Sequence, residues 1–329
     1  MQDHRHSVAL FLLLAAAPAQ AEKAAAVKIV PHEDRQRIEV LVDGKPFTEY
    51  RYTADVKKPV LFPLRTAEGA IITRGWPLEP RGEEPTDHPH HIGFWFNYGD
   101  VDGADFWGNS VSVKDGSKKG TIVHRKVRSA RGDELVTESD WMMPDGKRAL
   151  AEETTFKFGG GPGRRVVDRV AKLTATTAGA EVSMPDTKEG TLGLRLCSRL
   201  EHPSDKNPKG TGHYRSSEGV EGEAVWGTRA RWLMLTGTTE DGKPVTVALF
   251  DHPRNPGFPT YWHARTWGLF AANPLGQKAL SKGKETLNFK IPAKGSATFA
   301  YRLLILSRQA KPEEIEAEYR AFTAAAAPR

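Results

Sequence analysis

The segment from Asp87 to Phe96, DHPHHIGFWF, places an aspartate and three histidines within five residues and then continues into aromatic side chains. The whole chain has eleven histidines, so this is a dense cluster. Imidazole exchanges protons near neutral pH, and a neighbouring carboxylate fixes which ring nitrogen carries the proton. His88 beside Asp87 therefore has the composition of an acid–base pair, with His90 and His91 near enough to bind the same ligand.

Two other interpretations of this segment remain open. Histidines two apart on an extended chain can supply a pair of metal ligands at about 2.0–2.2 Å, and His88, His90 and His91 together could hold a divalent ion. The alternative is a corner in which the imidazoles only hydrogen-bond the chain. The acid–base interpretation needs no cofactor, whereas the metal interpretation requires a divalent cation.

A second Asp-His-Pro occurs at 251–253, directly after the apolar run PVTVALF. That run predicts a buried strand, so Asp251 should stand at a strand end and could orient His252 as a second acid–base residue. Arginine, histidine and aromatic side chains follow and could bind a hydroxylated or acidic ligand. These candidate binding residues are Arg254, Tyr261, His263 and Arg265. We expect the two corners to face one shared cavity.

Further candidates come from two other segments. In DTKEGTLGLRL, Glu189 precedes a predicted strand and is a candidate carboxylate for general acid or base work; a charged hairpin turn is the competing interpretation. In RGWPLEPR, Arg74 and Trp76 come shortly before the first corner and are candidates for substrate binding.

The elements that must position these residues are strands. Short alternating or apolar runs recur along the chain, and Asp-Gly turns at 42–45, 144–147 and 240–243 are typical of tight hairpins. The pattern predicts an all-β fold, a large antiparallel β-sandwich. One helix is predicted at the C-terminus, where Ile315, Tyr319 and Phe322 form an apolar stripe that can lie on the sandwich.

Residues 1–21 have the pattern of a signal peptide: Arg5, an apolar run from Val8 to Ala17, and the small residues Ala19 and Ala21 at a cleavage site. We therefore expect a periplasmic or secreted protein in which residues 22–329 form a single domain. No other apolar run approaches the length of a membrane span. The single cysteine, Cys197, excludes an internal disulfide and is expected in the core.

The formal charge of +6 comes from scattered lysines and arginines rather than from a basic run with aromatic residues between, so nucleic acid is not an expected partner. The expected partner is a small carbohydrate. The sequence does not indicate an oligomeric state.

The segments DHPHHIGFWFNYGDVDGADFW, DTKEGTLGLRL, VWGTRARW and FDHPRNPGFPTYWHAR resemble the PmoA-like family of exported bacterial proteins, which carries the label methane oxygenase PmoA. A membrane oxygenase subunit would need spanning helices, which this sequence lacks. The resemblance implies a setting among sugar-catabolic genes and a fold of the galactose-mutarotase-like supersandwich type. Proteins with that fold use histidines, a carboxylate and an arginine on a sugar, and this chain has those residue types.

Three functional hypotheses follow. The first is an exported enzyme that uses histidine and carboxylate acid–base chemistry on a sugar, either for glycosidic cleavage by hydrolysis or elimination or for epimerisation. The second is a sugar-binding module without catalysis. The third is a metal-dependent enzyme built on the cluster at 87–91.

Overall fold

The computed structural model describes residues 25–176 and 180–325, so the predicted signal peptide lies outside the described residues. Strands make up most of the regular structure. In chain order they are β1 Val27–His32, β2 Arg37–Val42, β3 Lys45–Arg51, β4 Val60–Leu61, β5 Phe94–Tyr98, β6 Thr121–Arg131, β7 Glu134–Met142, β8 Arg148–Gly161, β9 Arg164–Ala175, β10 Val182–Met184, β11 Gly190–Arg195, β12 His213–Ser216, β13 Trp232–Thr238, β14 Pro244–Asp251, β15 Tyr261–Trp262, β16 Leu269–Asn273, β17 Phe289–Ile291 and β18 Ser296–Leu306.

The helices are short and few among these residues. The α-helices are α1 Gln277–Leu280 and α2 Pro312–Ala324, and single 3₁₀ turns occupy Glu33–Arg35, Ser198–Leu200 and Gly222–Val225. No helix within 25–176 and 180–325 has the length and apolarity to cross a bilayer.

Two large antiparallel sheets form the framework. The first has the strand order β1-β2-β3-β4-β5-β11-β16-β15, and the second has the order β12-β13-β14-β18-β9-β8-β7-β6. Strands β10 and β17 form a small separate pair. The prediction of an all-β antiparallel sandwich is confirmed, whereas the predicted domain boundaries, 1–21 and 22–329, stay a prediction.

The Asp-Gly turns join consecutive strands as predicted. Val42 pairs with Lys45, so Asp43 and Gly44 alone close the hairpin between β2 and β3. Both have positive φ, 53° and 75°, which is the backbone of a type I′ turn and explains the Asp-Gly pair. The turns at 144–147 and 240–243 likewise connect β7 to β8 and β13 to β14.

The main core lies between the two sheets. Alternate residues of β5, Phe94, Phe96 and Tyr98, point into it, and Phe96 meets Phe299 of the second sheet at a ring-centroid distance of 5.5 Å. Cys197 is buried in this core, as expected, and burial raises the pKa of its thiol to about 12.

The outer faces of the two sheets are covered differently. Helix α2 lies on the outer face of the second sheet, where Ile315, Tyr319 and Phe322 are buried, so the predicted apolar stripe is confirmed. On the outer face of the first sheet, Trp95 and its neighbours form a smaller apolar cluster. Beside this cluster the chain leaves a cavity.

Candidate functional site

A cavity of about 540 Å³ opens on the outer face of the first sheet. Four segments line it: the turn at 87–91 before β5, the loop at 105–108 after β5, residues 188–189 before β11, and the connection at 263–269 between β15 and β16. Because β5, β11 and β16 are neighbours in the sheet, segments far apart in sequence meet at one place.

Strand alternation explains why these segments meet over an aromatic base. In β5, Trp95 and Asn97 face outward, opposite to the core stripe. Trp95 lies directly over Gly193 of β11, where an added Cβ would be 2.3 Å from the indole ring. Asn97 accepts a hydrogen bond from the Trp95 indole and donates one of 2.7 Å to the Phe106 carbonyl, which ties the loop at 105–108 to the strand.

One feature of the aromatic stripe differs from expectation. Simple alternation places Ile92 in the inter-sheet core with Phe94, yet Ile92 packs in the outer cluster with Trp95. Gly93 has a φ of 57°, which breaks the extended geometry between the two residues and reverses the side to which Ile92 points.

Buried cations hold the turn that carries the histidines. The Arg74 guanidinium donates to the carbonyls of His88 at 2.9 Å and His91 at 3.3 Å, and the Lys58 ammonium donates to the His90 carbonyl at 2.7 Å. His88 has a φ of 43°, a left-handed conformation uncommon outside glycine. The hydrogen bonds from Arg74 and Lys58 to these carbonyls therefore stabilise the left-handed backbone conformation of His88.

Asp87 connects this buried layer to the cavity. Its Oδ1 accepts hydrogen bonds from Arg74 at 2.6 Å and from Arg195 at 3.2 Å, and both guanidinium side chains are fully buried. Its Oδ2 lies 2.6 Å from His88 Nδ1. Burial alone would raise the pKa of Asp87, but Arg195, the His88 hydrogen bond and Arg74 together lower it. The carboxylate stays ionised and accepts from His88 Nδ1–H, which leaves Nε2 for a ligand.

Ring stacking fixes the plane of the His88 imidazole. Its ring lies 4.8 Å from Trp267 and 4.9 Å from His91, nearly parallel to both. The Arg195 guanidinium also contacts the Trp267 ring, at 4.6 Å. Trp267 thus serves to hold His88 and Arg195 within the site.

The other cavity histidines are neutral. Burial, followed by nearby positive charges such as Lys58, lowers the pKa of His90 to about 3, and burial with Arg265 lowers that of His263 to about 3. Burial also takes the pKa of His91 well below its usual range. Neutral imidazoles can both donate and accept hydrogen bonds, which suits them to bind hydroxyl groups.

The two remaining carboxylates differ from each other. Burial raises the pKa of Glu189, against the opposing effect of Lys188 at 3.5 Å, so this carboxyl keeps its proton to a higher pH than usual. Asp105 is instead engaged by its own loop: it accepts from the Lys119 ammonium and from the Gly108 backbone N–H at 2.8 Å. Glu189 is therefore the better candidate proton donor.

The histidine cluster does not form a metal site in this arrangement. Across residues 25–176 and 180–325, no group of three or more His, Cys, Asp or Glu side chains could hold a metal ion. The parallel stacking of His88 and His91 explains this, because stacked rings direct their nitrogens side by side rather than toward one point.

The second Asp-His-Pro corner lies elsewhere, and the expectation of one shared cavity is not met for Asp251 and His252. Asp251 ends β14 of the second sheet, is fully buried, and accepts 2.7 Å hydrogen bonds from Asn255 and from the Thr260 backbone. Burial raises its pKa to about 7. The His252 ring packs edge-on against Phe322 of α2 at 5.3 Å. This corner braces a loop and the helix.

The candidates for ligand binding divide in the same way. His90, His91, His263 and Arg265 line the cavity, whereas the others do not. The residues outside it are Arg74, which lies beneath Asp87, the half-buried Trp76, the exposed Arg254 and Tyr261, whose ring contacts Arg229.

Sequence reasoning missed several residues of the site. None of Lys58, Asp105, Trp107, Arg195 and Trp267 was proposed as a site residue. A signal existed for Arg195, since in LGLRL it shares the outward parity of Gly193. Lys58 and Asp105 sit in loops whose positions follow from the tertiary fold, so no local pattern identifies them.

Comparison with known proteins shows limited similarity. Among solved structures, a galactose mutarotase-like protein from Clostridium acetobutylicum is 11% identical, with a TM-score of 0.44 over 86% of this chain and 99% of that one. A polysaccharide lyase is 10% identical, with a TM-score of 0.33 over 91% of this chain and 35% of that one. A protein from Synechocystis sp. PCC 6803 is 8% identical, with a TM-score of 0.33 over 90% and 100%. Scores this low carry no inference about activity, and no protein of curated function matches in sequence.

A family model matches residues 37–320, most of the chain. It overturns the resemblance to PmoA-like proteins, since the model that matches is described as a family of unknown function and no PmoA model matches. By this match the chain belongs to the DUF6807 family.

Proposed function

We propose that this protein is an enzyme that acts on a carbohydrate by acid–base catalysis, with His88 as the residue that exchanges a proton with the substrate. One observation carries the proposal: the hydrogen-bonded pair of Asp87 and His88 lies at the cavity and is held from beneath by two buried arginines. Such an arrangement fixes an imidazole in one tautomer and one orientation, which is what general acid–base catalysis requires.

The direction of proton transfer follows from the geometry. Asp87 accepts from His88 Nδ1–H, so the lone pair of Nε2 can take a proton from a hydroxyl or a carbon acid of the substrate. The ionised Asp87 then stabilises the imidazolium. Transfer of this kind accelerates a reaction by roughly 10²–10⁴-fold.

Glu189 supplies the complementary step. Burial raises the pKa of its carboxyl, so it is protonated more readily than an ordinary glutamate and is the candidate to donate a proton to a leaving group or to a ring oxygen. A base and an acid in one cavity support glycosidic cleavage, by hydrolysis or elimination, and also support epimerisation.

The lining of the cavity favours a hydroxylated ligand. Neutral imidazoles of His90 and His263 can donate or accept, and the carboxylates and cations beside them add further hydrogen-bonding groups. The indoles of Trp107 and Trp267 supply apolar surface. A few convergent polar groups with aromatic walls in a cavity of this size are typical of small-molecule sites, and a sugar offers both kinds of surface.

We also propose that the protein is exported to the periplasm or secreted. The support is the sequence pattern of residues 1–21. N-terminal sequencing of protein recovered from the periplasm or medium tests this, and a first residue near Glu22 is the expected result.

The enzymatic proposal is tested with a panel of reducing sugars, glycosides and uronide oligosaccharides. Anomer and epimer exchange are followed by NMR, and bond cleavage by reducing-end release and by the ultraviolet absorbance of unsaturated products. His88→Gln should lower kcat by roughly 10²–10⁴-fold. The matched control is His213→Gln, since His213 also pairs with a carboxylate, Glu221 at 3.1 Å, but on the surface outside the cavity.

A substrate turned over equally well by His88→Gln and by the control would overturn the role of His88. Sugars that bind in the cavity without turnover at any pH would assign the protein to carbohydrate binding and would overturn the catalytic proposal.

A further inference from the structure

Arg265 stands out among the cations of the cavity because none of the described residues accepts a hydrogen bond from its guanidinium or forms an ion pair with it. The guanidinium lies over the Trp226 ring at 4.5 Å and is half-buried. Arg229 provides a contrast within the same chain. It stacks on Tyr261 at 4.6 Å in the same way, but it also pairs with Glu285 at 2.6 Å.

The charged side chains at the cavity other than Arg265 each have an oppositely charged partner. Asp87 pairs with the buried Arg74 and Arg195, and Arg195 also lies 3.9 Å from Glu201. Asp105 pairs with Lys119, and Lys188 lies 3.5 Å from Glu189. Among the described residues that line the cavity, Arg265 is therefore the cation with no carboxylate within ion-pair distance. An anionic ligand would give Arg265 an ion-pair partner, and a neutral one would not.

A second observation also points to a ligand. Trp107 lines the cavity with a side chain only 2% exposed, and its indole N–H has no hydrogen-bond partner among the described residues. Buried polar groups are rarely left unpaired, and such a group in a cavity wall indicates a missing acceptor. The indole can only donate, so it too favours an oxygen-rich ligand.

We propose that the carbohydrate bound in this cavity is acidic, with a carboxylate of the uronic acid type that Arg265 binds. This inference rests on the proposed function, because it specifies the substrate class of the same site. A planar guanidinium held against an indole presents two parallel N–H donors, and their spacing matches a carboxylate.

The test is calorimetric or NMR titration with matched pairs of methyl glycosides: glucuronate against glucose, and galacturonate against galactose. Glucose 6-phosphate and glucose 6-sulfate are included to distinguish the carboxylate from other anions. The variants are Arg265→Gln and Arg265→Lys. Arg254→Gln is the matched control, since Arg254 is exposed and does not line the cavity.

The wild type should bind the uronate of at least one pair about ten- to a hundredfold more tightly than its neutral partner. Arg265→Gln should abolish that preference, because it should weaken binding of the uronate by more than binding of the neutral sugar. Arg265→Lys should keep part of the preference, because lysine retains the positive charge but lacks the two parallel N–H donors of the guanidinium. Arg254→Gln should keep all of it.

Equal affinity for both members of each pair, or a preference that survives in Arg265→Gln, would overturn the inference. Tighter binding of the phosphate or sulfate than of the uronates would overturn the carboxylate assignment. These outcomes are separable from failure of the proposed function. Uronates could bind through Arg265 while His88→Gln keeps full turnover, in which case only the catalytic proposal falls; if no sugar binds, both fall.

Discussion

Asp87→Asn changes one charged oxygen into an amide and tests how the site is held together. In the wild type, one oxygen of the carboxylate accepts a hydrogen bond from His88 Nδ1–H, and the other accepts hydrogen bonds from two buried guanidiniums. Asparagine can keep an oxygen toward Arg74 only by turning its NH₂ toward His88. The amide would then donate to Nδ1, and the proton of the imidazole would move to Nε2.

The consequences differ for stability and for turnover. Hydrogen bonds to charged groups contribute about 1.5–3 kcal/mol each, and the amide oxygen retains part of one. Because Asp87 is 43% exposed, solvent reduces the cost of leaving two arginines without an anion. We expect a loss of about 1–3 kcal/mol in the free energy of unfolding, measured in urea. With Nε2 protonated, His88 is no longer a base, and turnover should fall by roughly 10²–10⁴-fold.

The matched control is Asp168→Asn. Asp168 pairs with Arg302 through two hydrogen bonds of 2.6 and 2.7 Å outside the cavity. It should lose stability over a similar range and keep full turnover. Ring ¹⁵N NMR provides a readout that needs no substrate: His88 should carry its proton on Nδ1 in the wild type and on Nε2 in Asp87→Asn. An unchanged tautomer with unchanged turnover would refute the account of how Asp87 works.

Two further predictions concern the layer beneath the cavity. Burial lowers the pKa of Lys58 from 10.5 to about 7. Between these two pH values the folded protein therefore binds fewer protons than the unfolded chain. The free energy of unfolding that this group contributes at high pH is lost as the pH falls to about 7. The unfolding free energy of wild type relative to Lys58→Met should therefore rise with pH in this window, by at most about 1.4 kcal/mol per unit, and a difference independent of pH between about 6 and 9 would contradict this. Gly193→Ala should lower the free energy of unfolding by about 1–3 kcal/mol, because the added Cβ would overlap Trp95. The control is Gly159→Ala, at a strand glycine with open space around it. Equal urea midpoints for the two variants would argue against close packing under Trp95.

Much of the fold could be predicted from the sequence because its signals are local. The Asp-Gly hairpin at Asp43 and Gly44 needs only two residues of positive φ, and the stripe of Ile315, Tyr319 and Phe322 follows from helix periodicity. Alternation alone puts Ile92 on the wrong side of the strand, because Gly93 with its positive φ reverses the side to which Ile92 points.

The site could be predicted only where its parts are close in sequence. Asp87 and His88 are neighbours, so their pairing is a local property. The same three-residue pattern at 251–253 has another role because β14 belongs to the second sheet, where α2 covers His252. Sheet order decides which strand ends meet, and no spacing rule in the sequence gives that order.

The supporting cations illustrate the same limit. Arg74 was predicted to bind substrate, but it lies beneath Asp87 and donates to the turn that carries the histidines. Lys58 and Arg195 were not predicted at all. Each is defined by burial next to a partner that comes from a distant segment, so its role is visible only in the folded chain.

The most direct measurement for the central claim is ring-nitrogen NMR of histidine during titration with the sugar panel, with signals assigned by single substitutions. We predict that the resonances of His88, His90 and His263 shift together and saturate with one binding constant, while those of His213 and His252 stay fixed. Shifts confined to histidines outside the cavity, or bound sugar that leaves the His88 ring unaffected, would contradict the account.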